Sequence, residues 1–84
     1  MDLRQVFASN LRRLRYERGL SQEALAYEAG VNRSYISKLE KGATYVGLEI
    51  IGKVATVLKV EPAELLTRPK RRSRARRLSA HRLP

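Results

Sequence analysis

Apolar side chains return along this chain at helical intervals, in four or five short bursts separated by glycine or proline. Leu3, Phe7, Leu11 and Leu14 recur at spacings of four, four and three. That is one face of a helix, and it predicts a first element from about Asp2 to Arg18. Asp2 suits the N-cap, with Gln5 three residues on as in a capping box. Gly19 stands just past the end, where a left-handed closing residue is wanted. Ser21 then offers a favoured N-cap to a second helix, with Leu25, Ala26 and Ala29 as a narrow apolar stripe and Gly30 as its stop. A helix of about eight residues is too short to stand alone and must be held by packing.

The next stretch, "GVNRSYISKLEKG", covers residues 30–42. Asn32 can cap it by accepting from the amide of Ser34 or Tyr35. Val31, Ile36 and Leu39 point inward, which leaves Arg33, Ser34, Ser37 and Lys38 on the outer side. Gly42 ends the element. After the loop "ATYVG", a fourth helix is expected from about Leu48 to Lys59, with Leu48, Ile51, Val54, Ala55 and Leu58 on one face. Gly52 inside it costs about 1 kcal/mol relative to alanine, and close backbone packing, within the chain or across a dimer, would account for it. Pro62 suits the first turn of a short fifth helix ending near Leu66. No strand pattern and no repeat stands out. The fold class expected is all-α, with five helices over residues 1–67 as one domain.

Composition changes this picture at one end only. Of 84 residues, 43% are apolar, enough for a small helical core, and no cysteine is available for a disulfide or thiolate–zinc framework. The net charge is +10, and Arg68, Lys70, Arg71, Arg72, Arg74, Arg76, Arg77 and Arg82 supply eight of it with no acid among them. Ten basic and eight acidic side chains nearly balance over residues 1–66. Residues 68–84 therefore read as a basic C-terminal tail, disordered when unbound. A polycation selects nucleic acid or an anionic membrane surface as partner, and the tail has no apolar face with which to insert into a membrane. No apolar run approaches the ~18 residues of a membrane span, and "MDLRQVFASN" is not a signal peptide. A soluble, cytoplasmic protein is expected. One histidine, His81, without clustered carboxylates supports neither a metal site nor catalysis, so no enzyme, cofactor or catalytic residue is expected.

Two short helices joined by a tight turn containing Gly30 describe a helix-turn-helix. In that arrangement the first helix crosses the DNA backbone, while the second presents its N-terminal side chains to base edges in the major groove. "LSQEALAYEAGVNRSYISKLEKG" resembles the Cro/C1-type (XRE-like) helix-turn-helix family of phage repressors, bacterial regulators and restriction–modification controller proteins. The likeness continues through "LEIIGKVATVLKVEPAELL" and spans about residues 3–66. It implies a five-helix, lambda-repressor-like domain that binds operator DNA as a homodimer.

It also implies roles for particular positions. Arg33, Ser34, Ser37 and Lys38 match base-facing positions or lie beside them. Gln22 matches a residue that contacts the DNA backbone and braces the reading helix. Asn32 and Tyr35 lie beside the base-reading side chains, and Lys41, Thr44 and Tyr45 match a loop that grips phosphate. The chemistry agrees, since an arginine can donate twice to guanine O6 and N7. The chain departs from the pattern where "YVG" replaces a common proline before the fourth helix, and where Glu61 replaces a usual Ser, Thr or Asp cap.

Ile50, Val57 and Val60 add apolar surface near the fourth helix and form the candidate dimer contact. Tyr27 is expected to be partly buried with a wet hydroxyl. Glu40 is expected to pair with an arginine of the first helix. The functional expectation is a sequence-specific transcriptional regulator on a roughly palindromic operator, autoregulatory and of phage-like or mobile-element type. RNA polymerase is a candidate further partner if the protein activates. A protein-interaction module of antitoxin or antiactivator type is the rival class. Non-specific coating of nucleic acid by the tail alone is the third.

Overall fold

A computed structural model describes residues 2–68. Five helices account for most of them: α1 (Leu3–Glu17), α2 (Gln22–Ala29), α3 (Arg33–Glu40), α4 (Leu48–Leu58) and α5 (Pro62–Leu66). Among the described residues there is no strand. Of the basic tail only Arg68 is described, so Lys70, Arg71, Arg72, Arg74, Arg76, Arg77 and Arg82 lie outside the described residues.

Local chemistry explains where the helices begin. The Asp2 carboxylate accepts from the Gln5 amide at 3.1 Å, Ser21 Oγ from Ala24 at 2.9 Å and Asn32 Oδ1 from Tyr35 at 2.8 Å. Each satisfies one of the four amide donors that a helix N-terminus leaves without a partner. At α5 the Glu64 carboxylate accepts the Glu61 amide at 3.4 Å, so Glu61 serves at the cap despite its long side chain. The first four helices also end alike. Leu20, Val31, Ala43 and Val60 donate back to Arg15, Ala26, Lys38 and Ala55 at 2.9–3.1 Å. In each case the preceding residue has positive φ, the left-handed closure that suits glycine. At the end of α4 that residue is Lys59, at φ 61°, a position the sequence pattern does not mark.

The core is made where these short helices cross. Phe7, Leu11, Leu14, Leu25, Ile36, Leu39, Val54, Leu58 and Leu65 are buried together. α2 packs on α3 and α4, α1 on α3 and α5, and α4 on α5. An eight-residue helix cannot survive in water by its own propensity. α2 and α3 persist because each buries an apolar stripe against the others.

Several expectations need correction. Leu3 and Leu48 carry the right spacing, yet they are 55% and 84% exposed. Each is the first residue of its helix, so each overhangs the end of the packed interface. Tyr27 is not partly buried but 85% exposed. Gly52 has open space within the chain where a Cβ would stand, so close packing inside the chain does not explain it. Gln5 forms only half of a capping box: its amide is capped, but its side chain lies over Gly42 instead.

The two glycines make opposite predictions. Gly42→Ala is expected to destabilise by about 1 kcal/mol, because φ is +70°, a conformation that L side chains rarely adopt, and the flexible end of the Gln5 side chain would have to move aside. Gly52→Ala is expected to stabilise by roughly 0.5–1 kcal/mol through helix propensity. Urea denaturation of the two variants checks the signs; a stabilised Gly42→Ala would contradict the packing described here.

Candidate nucleic-acid interface

The outer edge of α3 is built from the inside out. Ile36 and Leu39 are 0% and 1% exposed and fix the rotation of α3 about its axis. Helical geometry then turns Arg33, Ser34 and Lys38 outward, and all three are exposed. Ser37 is half-buried beside them. Asn32 is exposed at the cap, and its side chain is engaged with the Tyr35 amide. Tyr35 is half-buried and packs against the core cluster, so part of its ring is already committed to the fold. The turn of Gly30, Val31 and Asn32 sets α3 against α2. Gly30 sits at φ 76° and Val31 packs on the core.

Beneath this edge is a buried polar network. Arg15 Nε donates to Glu40 Oε2 at 2.5 Å and Arg15 Nη2 to Glu40 Oε1 at 3.0 Å, with both side chains under 10% exposed. Arg15 Nη1 donates to the Leu20 carbonyl at 2.8 Å, and Arg12 Nη1 donates to the Glu40 carbonyl. Gln22 Nε2 donates to Glu40 Oε1 at 3.0 Å. A single carboxylate therefore joins α1, the start of α2 and the last residue of α3. The hydrogen bonds that Arg15 donates to Glu40 raise its pKa above the ordinary value, against the lowering effect of burial. The pairing expected for Glu40 is present, but it is buried where an exposed pair would count for little.

The loop after α3 lies beside the same edge in sequence and carries Lys41 and Tyr45, both exposed, and Thr44, half-buried. The amides at the starts of α2 and α3 that remain uncapped suit an anion, through free N–H groups and the helix dipole. Ile50, Val57 and Val60 are half-buried against the core of their own chain, so they offer edges of side chains and not a broad apolar face.

Asn10 was not singled out from sequence. It is 1% exposed, and its Nδ2 donates to the carbonyls of Leu65 and Thr67, both at 2.9 Å. It thereby closes the C-terminus of α5 from α1. The only sequence signal was a polar residue between Phe7 and Leu11 on the inward side of α1.

A helix-turn-helix family model matches residues 11–65, which contain all of α2 through α4 and the network just described. The chain belongs to the Cro/C1-type helix-turn-helix family of DNA-binding regulators. A hypothetical transcription factor from Neisseria meningitidis is 41% identical over 71 residues, spanning 84% of this chain and 67% of the relative. Control protein C.BamHI from Bacillus amyloliquefaciens is 38% identical over 66 residues, spanning 77% and 82%. Among solved structures, the hypothetical transcription factor NHTF from Neisseria superposes with a TM-score of 0.81 at 39% identity, over 88% of this chain and 85% of that one. The restriction–modification controller protein C.AhdI from Aeromonas hydrophila gives 0.72 at 47% identity, over 74% and 94%.

Glu40→Ala leaves the Arg15 guanidinium buried without its carboxylate and is expected to cost about 3–5 kcal/mol. Thermal unfolding followed by circular dichroism measures it. A loss below about 1 kcal/mol, the size of a surface pair, would show that the network does not hold the fold.

Proposed function

We propose that this protein is a sequence-specific transcriptional regulator that binds a roughly palindromic operator as a homodimer. The observation that carries this reading is the outward row of Arg33, Ser34 and Lys38 on a helix whose inner face and last residue are both locked to the core. Held in this way, α3 enters the major groove, and Arg33 donates in bidentate fashion to a guanine. Lys38 reaches a base one turn further along. Ser34 and Ser37 add short contacts. Gln22, Asn32, Tyr35, Lys41, Thr44 and Tyr45 hold the DNA backbone, which supplies register and affinity but no sequence information.

Two copies would place their α3 helices about 34 Å apart, one turn of the duplex, with Ile50, Val57 and Val60 at the contact between them. Occupancy then depends on the protein's own concentration, which suits autoregulation. The similarity to control proteins of restriction–modification systems supports a regulator of that kind. Residues 1–67 form the DNA-binding domain, and the tail from Arg68 onward strengthens the grip on phosphates without choosing the site.

Arg33→Ala is expected to weaken binding by roughly 1–3 kcal/mol and to relax one base position. Selection from a random duplex library, run with both proteins, reads this directly. An unchanged preferred sequence would remove Arg33 from the reading edge. Truncation after Thr67 is expected to lower affinity and flatten the dependence of binding on salt by about 0.9 in log–log slope for each phosphate lost. The preferred sequence should stay the same. Equal salt slopes for the two lengths would leave the tail without a role on DNA.

A further inference from the structure

The first turn of α1 touches the loop that follows α3 at two places. The Arg4 guanidinium lies over the Tyr45 ring, 4.5 Å from its centroid. One residue on, the Gln5 side chain covers Gly42 so closely that a Cβ there would stand 2.2 Å from its Nε2. Tyr45 is nonetheless 73% exposed, so the ring is a platform at the surface and not part of the core. Arg4 is half-buried and makes no hydrogen bond or ion pair among the described residues; the contact of its guanidinium is with the ring. The nearest acid in the chain, Asp2, is engaged in capping the Gln5 amide.

We propose that Arg4 is a further DNA-contacting residue, a phosphate clamp held in place by Tyr45. The inference rests on the DNA-binding reading above and extends the interface to α1. Stacking on a ring uses one face of a guanidinium and leaves the N–H donors in its plane unengaged. A planar fork of donors, already restricted in rotation, suits two oxygens of one phosphate. The Gln5 side chain, from the same turn, lies against Gly42, so both contacts of the first turn of α1 fall on the loop that also carries Lys41. Sequence spacing alone hides this, because Arg4 and Tyr45 are far apart in the chain.

The test compares wild type, Arg4→Gln, Arg4→Lys, Tyr45→Phe and Tyr45→Leu in the full chain. Binding is measured over a series of KCl concentrations, both on the duplex recovered by selection and on a duplex of unrelated sequence. Arg4→Gln is expected to bind about three- to tenfold more weakly and to lose about 0.9 of the log–log salt slope, one phosphate contact. The loss should be the same on both duplexes, since a phosphate contact carries no sequence information. Arg4→Lys keeps the charge and the slope. In a Tyr45→Phe background, which keeps the ring platform, Arg4→Gln costs as much as in wild type, and in a Tyr45→Leu background the effect of Arg4→Gln shrinks. Equal slopes for wild type and Arg4→Gln would overturn the proposal while leaving the DNA-binding reading intact. Failure of the wild type to bind either duplex would overturn both.

Discussion

The structure depends on one buried carboxylate. Glu40 ends α3, and its oxygens receive Arg15 from α1 and Gln22 from the first turn of α2. Its own carbonyl receives Arg12. A charge removed from water carries a desolvation cost of several kcal/mol, repaid only when the geometry is good and the remaining lone pairs are occupied. Here each oxygen has at least one donor, and the Arg15 guanidinium is further used by the Leu20 carbonyl and the ring of Tyr16. The gain is directional. Apolar contacts alone would hold α3 near the core, but a bidentate pair resists rotation and sliding of that helix.

That constraint explains how so short an element can hold a fixed outer row of side chains. α3 has eight residues, and its inward side is committed to Ile36, Leu39 and Glu40. The outer row of Arg33, Ser34 and Lys38 is then free of structural duty, and its position follows from the inner row by helical geometry. Caps at Asn32 and the left-handed glycines at 30 and 42 fix where the helix starts and stops. Asn10 acts similarly at the last helix, tying the close of α5 to α1. The interior thus holds its polar contacts at the ends of helices, where backbone groups lack partners.

Much of this was legible in the linear pattern because helix signals are local. The caps at Asp2, Ser21 and Asn32 act within three residues, and the glycine stops act within one turn. The errors arose where a local rule met a non-local outcome. Leu3 and Leu48 obey the periodicity, but the first turn of a helix reaches beyond its neighbours. Gln5 had the spacing of a capping box, yet its side chain found Gly42, far away in sequence. Tyr27 lies on the outer side of α2, and nothing among the described residues covers it. Asn10 looked like an ordinary polar residue in an amphipathic helix until α5 was placed beside it.

The sequence by itself determined the all-helical class, the five elements, the caps at Asp2, Ser21 and Asn32 and the choice of side chains on the outer edge of α3, since each depends on spacing and on residue chemistry over a few positions. It also carried the division between a nearly neutral body and a basic tail, which is a matter of counting charges. Only the tertiary structure decided which arginine takes Glu40, that the pair is buried, that Gln22 completes it, and that Arg4 meets Tyr45. Those facts depend on how α1 crosses α3 and its following loop. Crossing geometry is set by the fit of many side chains at once, and no short stretch of sequence contains it.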